Sequence, residues 1–177
     1  MLPITVPRWL LSLLLLALPL LLSAQLSYAL DIPEIPGELR RVGFENQIEI
    51  TSFSYGVSAE EGSGRIRPVV TQGCFLLGKT TDRATPFLFE AVTQSTTFEE
   101  MTLTAYRIGG RSPSVVITYR LTDVVVKKWE TGAENEEGIQ EVIGLVPAEV
   151  EITYYYYGAD GSLSEEYSYR YDFATGS

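Results

Sequence analysis

Residues 150–173 read VEITYYYYGADGSLSEEYSYRYDF, two runs of alternating side chains on either side of a short turn. Apolar or aromatic residues occupy every second position of both runs: Val150, Ile152, Tyr154 and Tyr156 in the first, and Tyr167, Tyr169, Tyr171 and Phe173 in the second. A period of two is typical of β-strands that carry one apolar face. Asp160-Gly161, within Gly158–Ser162, tolerates the positive φ of a tight turn. The segment therefore predicts an antiparallel hairpin.

The first strand of this hairpin contains four consecutive tyrosines, Tyr154 to Tyr157, so two of them face each side. One interpretation is a strand packed on its inner face and cross-paired with the tyrosines of the second strand. The other is an outward aromatic surface that is covered by a neighbouring subunit or by a stacked ligand. The sequence leaves both open.

The same alternation recurs along most of the chain and predicts a mainly β fold. It is clearest in three further runs: Ile48 and Ile50; Met101, Leu103 and Ala105; and Val115, Ile117, Tyr119 and Leu121. The phase breaks at Asp123, where we expect a bulge or a bend. Only Thr85–Val92 has helical spacing, and there Thr85 is expected to cap the helix and Pro86 to occupy its first position.

The amino-terminal segment, residues 1–29, has the pattern of a signal peptide. A single charge at Arg8 precedes the apolar run Trp9 to Leu22, which is shorter than the roughly 20 residues that a membrane-spanning helix needs. Ser27-Tyr28-Ala29 places small residues at the −3 and −1 positions, which predicts cleavage after Ala29. The prediction is a leader over 1–29 and one domain over 30–177, with no stable membrane span after cleavage; an uncleaved anchor is the alternative.

Composition excludes several classes of function. The chain has 13 basic and 23 acidic residues, a net charge of −10, and Arg8 lies in the leader, so nucleic acid is not an expected partner. The absence of histidine removes serine and cysteine triads of the standard type and the usual zinc ligand. Cys74 is the only cysteine, and its apolar surroundings predict a buried side chain.

Two acidic features offer alternatives to a purely structural role. Paired glutamates on strands could hydrolyse glycosides, and the candidates are Glu49, Glu99, Glu100, Glu149 and Glu151. The run Glu134 to Glu137 could bind calcium, although it lacks the alternating pattern of a dedicated loop. Acidic residues are rarely buried, so both sets are interpreted as solvated surface. No cofactor is predicted.

Several phrases, taken in order, resemble the haemolysin-coregulated protein (Hcp) family, which forms the tube of type VI secretion systems. The phrases are Ile35–Glu38, Ile48–Val57, Asp82–Leu88, Met101–Thr104, Leu121–Val124, Ile139–Leu145, Glu151–Tyr154, Asp160–Ser162 and Tyr171–Phe173. Asp82-Arg83-Ala84-Thr85-Pro86, for example, is similar to the family's approach to its single helix. Each phrase alone is weak, whereas the ordered set is fairly specific.

The resemblance implies a small barrel of two antiparallel β-sheets with one short flanking α-helix, and six copies in a ring that stacks into a tube. It also implies a loop that contacts the next ring, formed here by Ser58, Ala59, Glu60, Glu61, Gly62, Ser63, Gly64, Arg65, Ile66 and Arg67. Tubes of that family leave the cell through their own machine without a signal peptide, so the leader sets this chain apart.

The leading hypothesis is accordingly an exported, non-enzymatic, Hcp-like protein that assembles with itself, with components or effectors of a secretion system as further partners. Its destination would be the periplasm or the exterior, reached by the general secretory route. A secreted binding module that holds carbohydrate or another envelope component on its tyrosines is the second hypothesis, and an enzyme with paired glutamates is the third.

Overall fold

The computed structural model describes residues 25–60, 69–109, 112–133 and 138–177. Eleven strands and one α-helix lie within these ranges: β1 (Leu26–Asp31), β2 (Ile48–Ile50), β3 (Ser52–Ser54), β4 (Val57–Glu60), β5 (Val69–Gln72), β6 (Phe75–Thr80), α1 (Thr85–Gln94), β7 (Thr97–Gly109), β8 (Ser112–Ala133), β9 (Ile139–Val146), β10 (Glu149–Tyr157) and β11 (Leu163–Asp172). The prediction of a mainly β fold with one flanking helix is confirmed.

Nine of the eleven strands form one long antiparallel sheet in the order β2-β1-β7-β8-β9-β6-β3, to which β10 and β11 are added along β8, while β4 and β5 pair in a second, two-stranded sheet. The first and last strands of this order, β2 and β3, are separated only by Thr51. The Thr51 amide donates to the carbonyl of Gly78 on β6, with an N···O distance of 2.8 Å. The sheet therefore curls until its two ends meet along one stretch of chain, which gives it a barrel-like shape.

The bend expected at Asp123 is present, and it divides β8 between two sets of neighbours. Residues 117–122 of β8 pair with β10, whereas residues 125–133 pair with β9. Asp123 lies between the two segments with a φ of 49°, in the left-handed region. The amide of Ala148, between β9 and β10, donates to the carbonyls of Thr122 and Asp123 and holds this corner. One strand thus joins both halves of the barrel.

Inward-facing side chains from nearly every strand, together with one face of α1, form the core. Its fully buried members include Leu30, Ile48, Phe75, Leu77, Leu88, Met101, Leu103, Leu121, Ile143 and Leu145. In α1, Leu88 and Ala91 point into this core. The alternation recognised in the sequence is therefore the alternation between core and solvent.

Two local predictions are wrong. Cys74 is exposed rather than buried, because Phe75, the next residue, takes the inward position at the start of β6. Thr85 does not cap α1: the N-cap is Ala84, which has no capping side chain, and Thr85 is the first residue of the helix. The Thr85 hydroxyl instead accepts a hydrogen bond from the Asp82 amide and donates to Glu141.

The predicted cleavage point after Ala29 lies inside β1. The rest of the leader, residues 1–24, lies outside the described residues, as do Glu61 to Arg67 of the predicted contact loop and the acidic run Glu134 to Glu137. Among the described residues, no helix is long and apolar enough to cross a membrane.

A buried ion pair links the sheet to the start of α1. Lys79 on β6 and Glu141 on β9 face each other across the ladder, with Lys79 fully buried and Glu141 2% exposed. The Lys79 ammonium lies 2.9 Å from the Glu141 carboxylate and 2.8 Å from that of Asp82, and it also donates to the Thr80 carbonyl. A buried charge is tolerated only when it is paired and hydrogen-bonded in this way.

Burial by itself would raise the pKa of Glu141, but hydrogen bonds from Lys79, Thr85 and Thr81 and the charge of Lys79 outweigh it and hold the pKa below its ordinary value near 4.5. A carboxyl group whose pKa is lowered by folding stabilises the fold above its unfolded-state pKa. That contribution is lost as the pH falls from about 4.5 through the lower folded-state value.

Glu141→Gln should lower the free energy of unfolding at neutral pH by about 3 kcal/mol, because it leaves Lys79 with only Asp82 as a charged partner. The difference from the wild type should shrink as the pH falls below about 4.5, where Glu141 itself becomes protonated. Urea unfolding over this pH range measures both effects. Glu99→Gln, on the exposed side of β7, is the matched control, and equal stability of the two variants would contradict the assignment.

Gly37, in the Ile35–Glu38 phrase, is required by a close approach of two backbone segments. Its amide donates to the Asn46 carbonyl at 2.6 Å, and an added Cβ would overlap the carbonyl group of Gln47. Gly37→Ala should therefore destabilise the fold by roughly 1–3 kcal/mol. Gly109→Ala, where a Cβ meets no atom within 4 Å, is the control for thermal unfolding. A loss no greater at Gly37 than at Gly109 would refute the steric explanation.

Candidate assembly interface

The predicted hairpin of β10 and β11 is confirmed, and it extends the apolar face of the sheet beyond the core. Three cross-strand rows run over β8, β10 and β11: Leu121, Val150 and Tyr171; Tyr119, Ile152 and Tyr169; and Ile117, Tyr154 and Tyr167. The first row is anchored by buried residues, since Leu121 is 0% and Val150 4% exposed. We call these nine residues the aromatic face.

The exposed side chains of the aromatic face lie in its two outer rows, away from the row of Leu121 and Val150. Tyr154 is 44% exposed, Tyr167 58% and Tyr169 69%, although all three have the inward parity of Val150. Side chains on the same side of the hairpin as Val150 are buried where the barrel encloses them. They are exposed to solvent where the hairpin extends beyond the barrel. Large aromatic side chains left in contact with water in one patch are typical of surfaces that another molecule covers.

A second hairpin, β4 with β5, lies beside the aromatic face and makes an apolar groove with it. One wall carries Val57, Ala59 and Val70 of this hairpin, and the other carries Ile152, Tyr169 and Tyr171. The groove has a volume of about 370 Å³, and Val150 and Phe173 also line it. Val57, which lines this groove, is 51% exposed, so the open apolar surface continues onto the second hairpin.

Tyr55 fixes the base of this second hairpin. Its ring stacks on the buried ring of Phe75, with centroids 3.7 Å apart and planes 9° apart. Its hydroxyl donates to the Gln72 side chain at 3.3 Å, and Gln72 in turn donates to the Pro147 carbonyl at 2.7 Å. Burial raises the pKa of Tyr55 to about 12, so it stays protonated at any physiological pH. The groove is therefore built on an ordered support.

The opposite side of β10 and β11 is polar. Arg120 on β8 lies 2.6 Å from Glu100 and 3.6 Å from Glu151, and Arg170 lies 3.5 Å from Glu149. Tyr155 and Tyr157 belong to this side, where both are half-buried. The four consecutive tyrosines thus face both sides of the strand, as predicted. Only the side that carries Val150 and Tyr154 forms a continuous apolar surface.

The other predicted site residues are distributed as follows. Ser58, Ala59 and Glu60 form most of β4, and the remaining seven residues of the predicted contact loop lie outside the described residues. Of the candidate glutamates, Glu49 and Glu99 are exposed, while Glu100, Glu149 and Glu151 pair with arginines. In the described ranges no group of three acidic or cysteine side chains is placed to hold a metal ion.

Comparison with known proteins gives a consistent answer. Residues 29–160 match the family model described as "Type VI secretion system effector, Hcp". No match was found among curated proteins.

Solved structures of this fold cover most of the chain. The structure of Hcp1 from Salmonella typhimurium superposes with a TM-score of 0.72 at 22% identity, covering 85% of this chain and 97% of that one. A type six secretion system protein gives 0.79 at 19% identity, covering 86% and 99%. A type VI secretion system effector from Yersinia pestis gives 0.68 at 18% identity, covering 82% and 98%.

Substitutions should separate the outer part of the aromatic face from the core beneath it. In dilute solution Tyr169→Ser should change the free energy of unfolding by no more than about 0.5 kcal/mol, because the side chain is largely in water. Val150→Ala, one strand and one row nearer the core, should cost roughly 1–3 kcal/mol. Chemical denaturation measures both, and a large loss at Tyr169 would show that its ring is packed within the subunit.

Proposed function

The chain belongs to the Hcp family, the tube component of type VI secretion systems, and we propose that copies of it assemble into rings of six that stack into a tube. The observation that carries the proposal is the outer part of the aromatic face, where Tyr154, Tyr167 and Tyr169 are open to water. Tyrosine is enriched where protein surfaces meet, because its ring buries a large apolar area and its hydroxyl can still be hydrogen-bonded.

The geometry supports contact between subunits within a ring through the aromatic face. Its rows lie on an extension of the sheet, so a neighbouring barrel could lie against them and continue the apolar layer. Tyr154 and Tyr167 are direct cross-strand partners near the outer end of the face, which makes them the expected centre of the contact.

Contact between rings is assigned to the second hairpin. Ser58, Ala59 and Glu60 extend along β4, and the proposed contact continues through Glu61 to Arg67. Tyr55, Gln72 and Pro147 hold the base of the hairpin to the barrel, which would let the hairpin transmit a fixed orientation to the next ring.

The leader adds a proposal on location: the chain enters the general secretory route and acts in the periplasm or outside the cell. Its pattern of one charge, an apolar run of signal-peptide length and small residues supports this assignment. Transport by that route would deliver an unfolded chain, so rings would form only after export.

The exposed tyrosines also favour one other function, a platform on which sugar rings of an envelope polysaccharide stack. Tyr154, Tyr167 and Tyr169 lie side by side on neighbouring strands with their rings open to water. The two functions differ in what covers this surface: a second copy of the chain, or a carbohydrate.

The double variant Tyr154→Lys with Tyr167→Lys should abolish ring formation, because two ammonium groups would lose their hydration at the centre of the contact. Light scattering coupled to gel filtration should give a multimer for the wild type and a single subunit for the variant. Thr153→Lys with Ser168→Lys is the matched control, since these are cross-strand partners on the polar side of the same hairpin.

The control should keep the mass of the wild type. A wild-type protein that stays a single subunit at high concentration would refute the ring proposal. Retention of that single subunit on immobilised polysaccharide, lost in the tyrosine double variant, would support the carbohydrate platform instead.

A further inference from the structure

The first strand of the domain is an internal strand of the sheet. β1 (Leu26–Asp31) lies between β2 and β7 and is antiparallel to both. All six of its residues have partners on β7, from Leu26 opposite Arg107 to Asp31 opposite Thr102. On its other side Tyr28, Ala29 and Leu30 have partners on β2. β1 therefore connects β2, at one end of the sheet, to β7 and the strands beyond it.

The residues of β1 also contribute to the core. Ala29 and Leu30 are fully buried. Ala29 packs with Phe44 and Tyr106, whose rings stack with centroids 4.2 Å apart. Tyr28 packs its ring edge-on against Phe53, with centroids 5.2 Å apart. The segment ahead of Leu30 thus has the burial and pairing of folded domain, not of a linker.

Cleavage after Ala29 would remove most of this strand. Four of the six residue pairs with β7 and two of the three with β2 would be lost. The inner segment 104–107 of β7 would become an open edge, and the buried backbone groups there would lose their hydrogen-bond partners. A domain that starts at Leu30 would have an incomplete barrel.

We propose that the bond cut on export lies on the amino-terminal side of Leu26, so that all of β1 stays in the mature chain. Ala24 is the residue best suited to the small −1 position between Pro19 and Leu26, which makes Ala24-Gln25 the expected bond. This inference rests on the proposed export, and it moves the boundary of the leader upstream of Ala29.

The test is the intact mass of the exported protein. The full chain, with a carboxy-terminal tag, is expressed in a bacterial host, and the tagged protein is purified separately from the periplasmic and cytoplasmic fractions. The expected result is a periplasmic chain that begins at Gln25, with or without loss of ammonia from cyclisation of the new terminal glutamine. A periplasmic chain that begins at Leu30, or one that is uncut, would overturn the inference while leaving export intact.

Two substitutions identify the bond independently of folding. Ala24→Leu blocks the −1 position of the proposed bond and should cause uncut precursor to accumulate. Ser27→Asp places a charge at the −3 position of the bond after Ala29, which blocks cleavage there, and it should leave processing unchanged. The reverse pattern would refute the inference, and a chain found uncut in the cytoplasm alone would refute export together with it.

Discussion

The constraint on which the structure depends is that the apolar face of its sheet is longer than the core that the described residues place against it. Near Leu121 and Val150 the face is buried in the barrel, and two residues further along each strand it begins to open to water. Apolar strand faces are usually covered along their whole length, because large open apolar patches are rare on proteins that have no partner. Here the strands continue for two more rows and carry tyrosines.

This excess of apolar face follows from how the sheet is closed. Bending at Asp123 lets β8 pair with β10 before the corner and with β9 after it, so the barrel closes around only part of the strand. Thr51, the one residue between β2 and β3, joins the two ends of the sheet. The ion pair of Lys79 with Glu141 holds the start of α1 against the sheet. In the described part of the chain, only the β4-β5 hairpin lies beside the aromatic face of the β10-β11 hairpin.

The sequence predicted those parts of the molecule in which local pattern and tertiary position agree. Alternation located the strands, Asp-Gly located the hairpin turn, and the break in phase at Asp123 located the corner. It failed where a neighbour decides the outcome. Cys74 lies next to a phenylalanine that occupies the inward position, and Thr85 uses its hydroxyl for Glu141 across the sheet instead of capping its helix. The sequence did contain a signal for the buried pair of Lys79 and Glu141. Each residue continues the alternation of the core residues on its own strand, which are Phe75 and Leu77 on β6 and Ile143 and Leu145 on β9. No signal in the sequence indicated that Ala29 lies within β1. A small residue is suited to the −1 position of a peptidase site and equally to a closely packed strand.

The central claim, that copies of the chain cover the aromatic face, is tested most directly by hydroxyl-radical footprinting of the wild-type protein over a range of concentrations. The account predicts that oxidation of Tyr154, Tyr167 and Tyr169 falls together as the protein assembles, while oxidation of the exposed Phe87 on α1 stays constant. Oxidation of the three tyrosines that is unchanged at every concentration, in a protein that nevertheless assembles, would contradict it.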